Sequence, residues 1–485
     1  MTTASVGSRG DRRGRPGEHR PDAADAARRD GTANRRPPQA DKTSAWPPWL
    51  AARQGVTLPR HVTTTAHLGA IYPFAVEAGL GVRGVFMGAN RLSGGGGFYF
   101  DLFEALNAGM ISAPNACFTG AGGYGKSALA KTYVWRSSLL SDNHRRGRFV
   151  SVLDPKGEWV RLADMLGLTV VDLRPGGATR VNPLDPGPAG SNLDAEDLAR
   201  KQTPVICALL AVPLRRRLEV GEDRVVGYCL QRISRGRLTR PTLGDLRHDL
   251  RDIQANPTEG NAADLDTTAE ELRTRCRALL DACALLLDGE LKGMFDGPTN
   301  IDLDWETSPG IVLNLSSVLD QPTALELVMI AGAGWLQALM HGHKDRLKLN
   351  VIDEAYKAIG NPAMVSYLQD AWKVGRQFGT ANILIIHALS ELRAQFDDGV
   401  AAVKQAEALL NTTSVKVFLH QNHDQVADLL GRCGLTPAEA ERLPLMAPHQ
   451  ALWKIGSEYT ALTQHVLAAD EAPMVDTNAS VRGDQ

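Results

Sequence analysis

The chain has 485 residues, of which 43% are hydrophobic and 22% are charged, enough for two or three domains around a large core. A net charge of −2 excludes attraction to nucleic acid or anionic membrane by overall charge, so any such contact needs a local basic patch. The six cysteines form no C-x-x-C pair and no zinc-type cluster. This pattern is typical of buried thiols in a reducing compartment and predicts no metal site other than one for Mg²⁺.

The N-terminal part of the chain divides into two segments. Residues 1–45 are rich in Arg, Pro, Asp and Gly and almost free of large apolar side chains, which predicts a disordered tail. The arginines of this tail could contact nucleic acid or acidic lipid, but acids are interspersed among them, which favours a solvated tail. Residues 46–110 alternate short strand patterns with glycine turns and are interpreted as a β-rich segment.

A glycine-rich motif begins at Gly120 and reads G-A-G-G-Y-G-K-S, a complete G-x-x-x-x-G-K-S phosphate-binding loop. A short apolar strand, 115–119, precedes it, and a helical pattern follows from Ser127, which is the setting that the motif requires. Backbone N–H groups of such a loop cradle phosphates, Lys126 reaches the outer phosphates, and the Ser127 hydroxyl binds Mg²⁺. The predicted nucleotide-binding residues are Gly120, Gly122, Gly123, Gly125, Lys126, Ser127 and Ala128.

The remaining elements predict an α/β domain that is interrupted by helices. Residues 111–190 alternate strands and helices, which indicates the first part of an α/β domain with a mostly parallel sheet. Residues 191–300 carry long amphipathic patterns and are interpreted as an all-α insertion. Strand patterns resume in 301–468, the predicted second part of the domain, and 469–485 are predicted to be a flexible tail. The apolar stretch 325–340 is interpreted as a core helix because Glu326 and Gln337 interrupt it.

Two acidic residues, Asp353 and Glu354, end a hydrophobic strand that begins at Lys348. At the carboxyl end of a strand in an open α/β sheet, Asp353 can hold the water shell of Mg²⁺. Glu354 can then polarise the water that attacks the γ-phosphate, which makes it the predicted catalytic base. The long separation from Lys126 leaves room for the helical insertion and disfavours a small-molecule kinase.

Several ordered segments resemble the ATPases of conjugation and type IV secretion of the TraC-like kind, within the HerA/FtsK group of RecA-like motors. These segments are Tyr72-Pro-Phe74, Gly88-Ala-Asn90, Phe100-Asp101, the phosphate-binding loop, Asp154-Pro-Lys-Gly-Glu158, Arg180 to Asp185, Asp353-Glu354-Ala355, Lys373 to Arg376, His387 to Glu391 and Gln421. The resemblance implies an Mg²⁺-dependent ATP hydrolase that works as a homo-hexamer. It also implies channel subunits and possibly DNA as partners, and a location in the cytoplasm or at the inner face of the cell membrane.

The resemblance also assigns roles to residues outside the two motifs. Arg376 is expected to reach the γ-phosphate bound by a neighbouring subunit, which would make it a catalytic residue together with Lys126 and Glu354. The alternative that Arg376 is an exposed helix residue paired with a carboxylate stays open. Gln421 and His387 are expected to contact the γ-phosphate; the family often has Thr-Gln where this chain has His387 and Ala388. Asp154 could cap the following helix or belong to the nucleotide cleft.

Two other functions stay open at this point. One is a DNA-translocating coupling protein or motor of the same group. Arginines such as Arg145, Arg146 and Arg148 could then face a DNA-filled pore, although solvated turns and helix faces are the favoured interpretation of these arginines. The other is a nucleotide-switched assembly factor with slow turnover. The phosphate-binding loop together with Asp353 and Glu354 favours turnover.

Overall fold

The structure, a computed structural model, describes residues 84–92, 96–140, 147–187, 194–236, 240–289, 291–355, 362–386, 409–430 and 433–475. All of them belong to one compact unit, 75–485. The predicted tail 1–45, the β-rich segment up to residue 83 and residues 476–485 lie outside the described residues, as do Arg145, Arg146 and His387.

A single sheet of eleven strands runs through this unit, in the spatial order β2-β1-β11-β10-β9-β3-β8-β7-β4-β6-β5. From β9 to β5 all neighbours are parallel, whereas β2, β1, β11 and β10 form an antiparallel extension that joins β9. The strands are β1 Val85–Asn90, β2 Gly97–Phe100, β3 Asn115–Thr119, β4 Phe149–Asp154, β5 Thr169–Asp172, β6 Gly310–Asn314, β7 Lys348–Ile352, β8 Thr380–Ile386, β9 Val415–Phe418, β10 Gln450–Ile455 and β11 Tyr459–His465. The predicted α/β fold with a mostly parallel sheet is confirmed.

Helices cover both faces of the sheet, and two large apolar clusters fill the space between the layers. Parallel strands buried on both faces read as continuous apolar runs, as β4 and β8 do. The helices are α1 Leu102–Asn107, α2 Lys126–Ser138, α3 Val160–Leu166, α4 Ala195–Leu214, α5 Val220–Arg235, α6 Leu243–Ala255, α7 Glu259–Asp264, α8 Ala269–Asp288, α9 Pro322–His341, α10 Pro362–Gly375, α11 His423–Leu430, α12 Pro437–Arg442 and α13 Ala472–Val475. Five of them, α4 to α8, follow one another without a strand between Ala195 and Asp288.

One helix, α9, has the length and apolarity of a membrane span, with a mean hydropathy of 1.4 over an 18-residue window. However, 72% of that window is buried inside the protein, where the helix packs against α4 and β4. Val328, Met329 and Ile330 are fully enclosed. The helix is therefore placed as a core helix, as the sequence predicted.

Three features differ from the sequence predictions. The antiparallel hairpin β10–β11 was not predicted, because β10 beyond Gln450 and the middle of β11, 461–463, are buried on both faces and lack polar alternation. The predicted flexible tail from 469 is ordered as far as Val475, since Met474 is buried in the cluster beneath α2. Arg148 is not on a solvated turn or a pore wall: it is buried and forms an ion pair with Asp101.

Candidate nucleotide-binding site

The phosphate-binding loop lies between the carboxyl end of β3 and the first turn of α2. Gly125 is the N-cap of α2 and has φ of 90°, a left-handed conformation that favours glycine. A Cβ atom at this position would lie 2.5 Å from Nδ1 of His449, so a side chain is excluded by space as well. The helix begins without a side-chain cap, which leaves its N-terminus as an anion site.

Two neighbouring chain segments hold the loop in place. Ala121 N donates to His420 O at 2.8 Å, and the rings of Tyr124 and His420 stack with centroids 3.9 Å apart. On the other side His449 N donates to Tyr124 O at 3.0 Å. His449 itself has φ of 65°, an uncommon conformation for a residue with a side chain. The loop after β9 and the loop before β10 therefore fix the shape of the phosphate-binding loop.

Asp353 lies at the same edge of the sheet, directly after β7. One strand, β8, separates β7 from β3, so two strand spacings, about 10 Å, separate the carboxylate's strand from the loop's strand. Asp353 is 2% exposed; its Oδ2 accepts from Trp159 Nε1 at 2.8 Å, and its Oδ1 accepts from Glu354 N at 2.8 Å. Burial raises the pKa of Asp353, and the Trp159 hydrogen bond opposes that rise.

Asp154, the last residue of the adjacent strand β4, organises the segment that follows it. Its carboxylate accepts backbone N–H groups from the next turn, at 2.9 Å from Gly157 and 2.8 Å from Trp159. Burial raises the pKa of Asp154 to about 6, although these hydrogen bonds favour the charged form. Asp154 therefore holds the turn 156–159 and is not the N-cap of the helix that follows, which is Trp159. This turn carries Lys156 and Glu158 into the lining of the cleft.

Glu354, the predicted catalytic base, forms an ion pair with Lys156. The carboxylate is buried, whereas 31% of the Lys156 side chain is exposed. Desolvation opposes the charge of Lys156, but the hydrogen bond and charge of Glu354 outweigh it and raise the pKa of Lys156. The structure thus joins the acidic strand end at 353–354 to the segment after β4, a contact that sequence reasoning did not identify.

Gln421 follows β9, next to the strand that leads into the phosphate-binding loop. The residue is 1% exposed, and its Nε2 atom is buried without a hydrogen-bond partner among the described residues. It does not line the cleft around the loop, so the structure brings it near the site and not into it. The other predicted γ-phosphate contact, His387, lies outside the described residues, directly after β8.

Arg376 lies elsewhere. It begins a 3-10 turn, Arg376–Phe378, that precedes β8, and its side chain is exposed. Because β3 and β8 are parallel with Thr119 beside Ile386, Arg376 is at the amino edge of the sheet. A strand of seven residues spans roughly 20 Å, so the arginine cannot reach the phosphate-binding loop of its own subunit.

A cleft of about 320 Å³ opens over the phosphate-binding loop. Its lining includes the predicted residues Gly122, Gly123, Gly125, Lys126, Ser127 and Ala128, together with Ala121, Lys156, Glu158, His449 and Val475. A Cβ atom built on Gly122 or Gly123 would meet nothing within 4 Å, so the backbone there is open to a ligand. The open backbone, a buried lysine, a hydroxyl and an uncapped helix start fit a nucleotide polyphosphate and its Mg²⁺.

Sequence reasoning missed His449 and Trp159 as parts of this site. The sequence around His449 has no feature that predicts a binding site, because its loop has the composition of an ordinary turn. Only the fold places the His449 ring next to Gly125. Trp159 directly follows the segment Asp154 to Glu158. Its role as a hydrogen-bond donor could not be predicted from the sequence, because the acceptor, Asp353, is distant in the chain.

Fold and site together define a P-loop NTPase with a RecA-like sheet. Residues 286–443 match the family model of the TraG P-loop domain, a range that contains Asp353 and Glu354 but not the phosphate-binding loop. No curated protein matches the chain.

Several solved structures have a similar fold. VirB4 of Thermoanaerobacter pseudethanolicus is 19% identical, with a TM-score of 0.64, over 81% of this chain and 100% of that one. The plasmid coupling protein TrwB in complex with the ATP analogue ADPNP is 15% identical, with a TM-score of 0.51, over 86% and 96% of the two chains. TrwB in complex with ADP and Mg²⁺ is 16% identical, with a TM-score of 0.50, over 73% and 86%. Family match and fold confirm the resemblance to the P-loop ATPases of conjugation and type IV secretion.

Proposed function

We propose that the protein is an Mg²⁺-dependent ATPase that powers the transfer of DNA or protein through a conjugation or type IV secretion machine. One observation carries the proposal. A phosphate-binding loop with Lys126 and Ser127 lies at the same edge of the sheet as an acidic strand end with Asp353 and Glu354. ATP binding is supported further by the similar fold of TrwB, which has been solved with ADP and Mg²⁺.

Each residue of the site has a distinct part in this reaction. The N–H groups of 122–127 bind phosphate oxygens, and Lys126 neutralises charge on the outer phosphates. Ser127 would hold Mg²⁺ directly and Asp353 through its water shell; the metal supplies charge neutralisation at the phosphates when bound. Trp159 keeps the Asp353 carboxylate oriented. Glu354 orients the attacking water and takes its proton.

The exposed Arg376 completes the site from a neighbouring subunit in this proposal. An arginine that stabilises transition-state charge in trans contributes about 10³ to 10⁵ in rate. Its turn is anchored to the sheet, because Lys348 Nζ donates to Phe378 O at 2.7 Å. A ring, and a homo-hexamer in particular, would place the amino edge of one subunit over the cleft of the next.

The proposed location is the cytoplasm or the inner face of the cell membrane, and the proposed partners are channel subunits. The resemblance to VirB4 and TrwB supports this location, since both names belong to conjugation and secretion machinery. DNA is a proposed cargo or regulator, and its contact would need a local basic surface because the net charge of the chain is −2.

Hydrolysis of ATP by the purified protein over a series of protein concentrations tests the proposal. We expect Mg²⁺-dependent turnover whose specific rate rises with concentration as rings assemble, with single- and double-stranded DNA added in parallel. A Lys126→Ala variant is the matched control and should be inactive. Tight ATP binding without turnover at any concentration would instead identify a nucleotide switch and contradict the proposal.

A further inference from the structure

The ion pair between Lys156 and Glu354 lies at the mouth of the nucleotide cleft. Lys156 lines the cleft together with the phosphate-binding loop, whereas Glu354 is buried beneath it with 3% exposure. Glu354 also has φ of 48°, in the left-handed region that side chains rarely adopt. A candidate catalytic base is thus held, in a strained backbone conformation, by a cation that faces the substrate cavity.

The turn that carries Lys156 is held in place by hydrogen bonds. Asp154 Oδ1 accepts from the N–H groups of Lys156 and Glu158, each at 3.2 Å, which locks the turn. Lys131 Nζ donates to Glu158 O at 2.8 Å and anchors the far end of the same turn to α2. The long side chain of Lys156 thus extends from a fixed turn, where it pairs with Glu354 and lines the cleft.

Two lysines line the described part of the cleft, and their positions differ. Lys126 belongs to the phosphate-binding loop and starts α2, so it meets the phosphates at the loop itself. Lys156 approaches from the strand β4, on the side of Glu354. The terminal phosphate of a nucleoside triphosphate is the part of the ligand that lies nearest the catalytic base, and it carries more negative charge than one carboxylate.

We propose that Lys156 is a positioning residue that pairs with Glu354 when the cleft holds no triphosphate and exchanges that carboxylate for the terminal phosphate of bound ATP. The exchange releases Glu354 to orient the attacking water. ADP lacks the terminal phosphate and leaves the Lys156–Glu354 pair intact. This inference rests on the proposed ATPase function and adds to it a way in which the site distinguishes the triphosphate from the product.

Equilibrium binding by titration calorimetry tests the exchange without any turnover. The ligands are ADP and a non-hydrolysable ATP analogue, each with Mg²⁺, and the variants are Lys156→Met, Lys156→Arg and the exposed control Lys292→Met. A charge-assisted contact to phosphate predicts that Lys156→Met weakens binding of the analogue about 10- to 100-fold and binding of ADP less than about twofold. Lys156→Arg should retain the preference for the triphosphate, and Lys292→Met should behave as wild type.

A second pair of variants covers the case in which Lys156→Met does not fold because Glu354 is left buried and unpaired. Glu354→Gln removes one charge and Lys156→Met/Glu354→Gln removes both. We expect Glu354→Gln to keep the preference for the analogue over ADP and the double variant to lose it.

The outcomes separate this inference from the proposed function. If the wild type binds neither nucleotide, the proposed function fails. If it binds and hydrolyses ATP but Lys156→Met keeps the wild-type ratio of the two affinities, the exchange is wrong and the ATPase stands. An equal loss of affinity for ADP and for the ATP analogue would also overturn the exchange, because it would show that Lys156 attracts both nucleotides through its charge alone.

Discussion

The two edges of the parallel sheet have opposite characters. At the carboxyl edge, Asp154, Asp353, Glu354 and Lys126 are at most 4% exposed, and Lys126 lines a cleft of about 320 Å³. At the amino edge, Arg376 is exposed on a short turn beside a cavity of about 500 Å³ with a largely apolar lining. Groups that must act in a fixed geometry are buried and held by partners, whereas the arginine is presented outward.

In the proposed ring, one subunit would therefore carry two halves of two different sites. A buried carboxyl edge supplies the phosphate-binding loop and the acids, and an exposed amino edge supplies a cation that its own loop cannot use. Catalysis would then depend on assembly, which is the feature that the following variants test.

Arg376→Ala should have the largest effect. We expect kcat to fall by about 10³ or more with little change in thermal stability, because the side chain is exposed and its loss removes transition-state charge stabilisation. Steady-state kinetics together with a melting curve measure both quantities. The exposed neighbour Gln377→Ala serves as the control. A loss below tenfold would place Arg376 outside the reaction.

Glu354→Gln should lower kcat by about 10² to 10⁴, since a general base contributes about that much. The amide retains the shape of the side chain, so binding of ATP should persist. Single-turnover hydrolysis and calorimetry measure the two effects. Retention of full activity would show that the buried carboxylate is structural.

Arg148→Met should reduce stability without affecting the nucleotide site. Arg148 and Asp101 form a buried pair outside the cleft, and breaking such a pair costs about 3–5 kcal/mol. Burial alone would raise the pKa of Asp101, but the hydrogen bond and charge of Arg148 lower it below 3.8. The pair's contribution is therefore present above pH 3.8 and is lost as the pH falls through the lowered pKa.

Denaturant unfolding of wild type and Arg148→Met measures that loss. Nucleotide affinity, determined in conditions where the variant remains folded, should match the wild type. A weakened affinity at full folding would connect this network to the cleft.

Trp159→Phe should have the smallest effect. The change removes the hydrogen bond to Asp353 but keeps a large ring in the core, and loss of an outer partner of a metal site typically costs about 10- to 100-fold in metal affinity. We expect the Mg²⁺ concentration for half-maximal activity to rise about tenfold, with kcat at saturating Mg²⁺ little changed. An unaltered Mg²⁺ dependence would assign Trp159 to packing alone.

The sequence predicted those parts of the molecule that depend on local pattern. The strands at 115–119, 310–314 and 348–352 are apolar runs, and the phosphate-binding loop is a local motif. The hairpin β10–β11 was missed because most of β10 and the middle of β11 are buried on both faces, so neither shows the period of two that marks a half-exposed strand.

The contacts that complete the site depend on tertiary structure. Lys156 follows strand β4, and Glu354 follows strand β7. These two strands are far apart in the chain but adjacent in the sheet. In the sequence, Arg148 cannot be distinguished from an exposed arginine. Its burial becomes evident only in the structure, where it pairs with the buried Asp101. Motif residues can thus be predicted, whereas the side chains that hold them require the strand order.

Complementation between two inactive variants tests the central claim, that the site is divided between subunits, most directly. Lys126→Ala lacks the phosphate-binding lysine, and Arg376→Ala lacks the arginine. In mixed assemblies, the intact loop of an Arg376→Ala subunit can meet the intact arginine of a Lys126→Ala subunit. We predict that mixing the two restores ATP hydrolysis to a substantial fraction of the wild-type rate. Mixed assemblies that form and stay inactive would contradict the account.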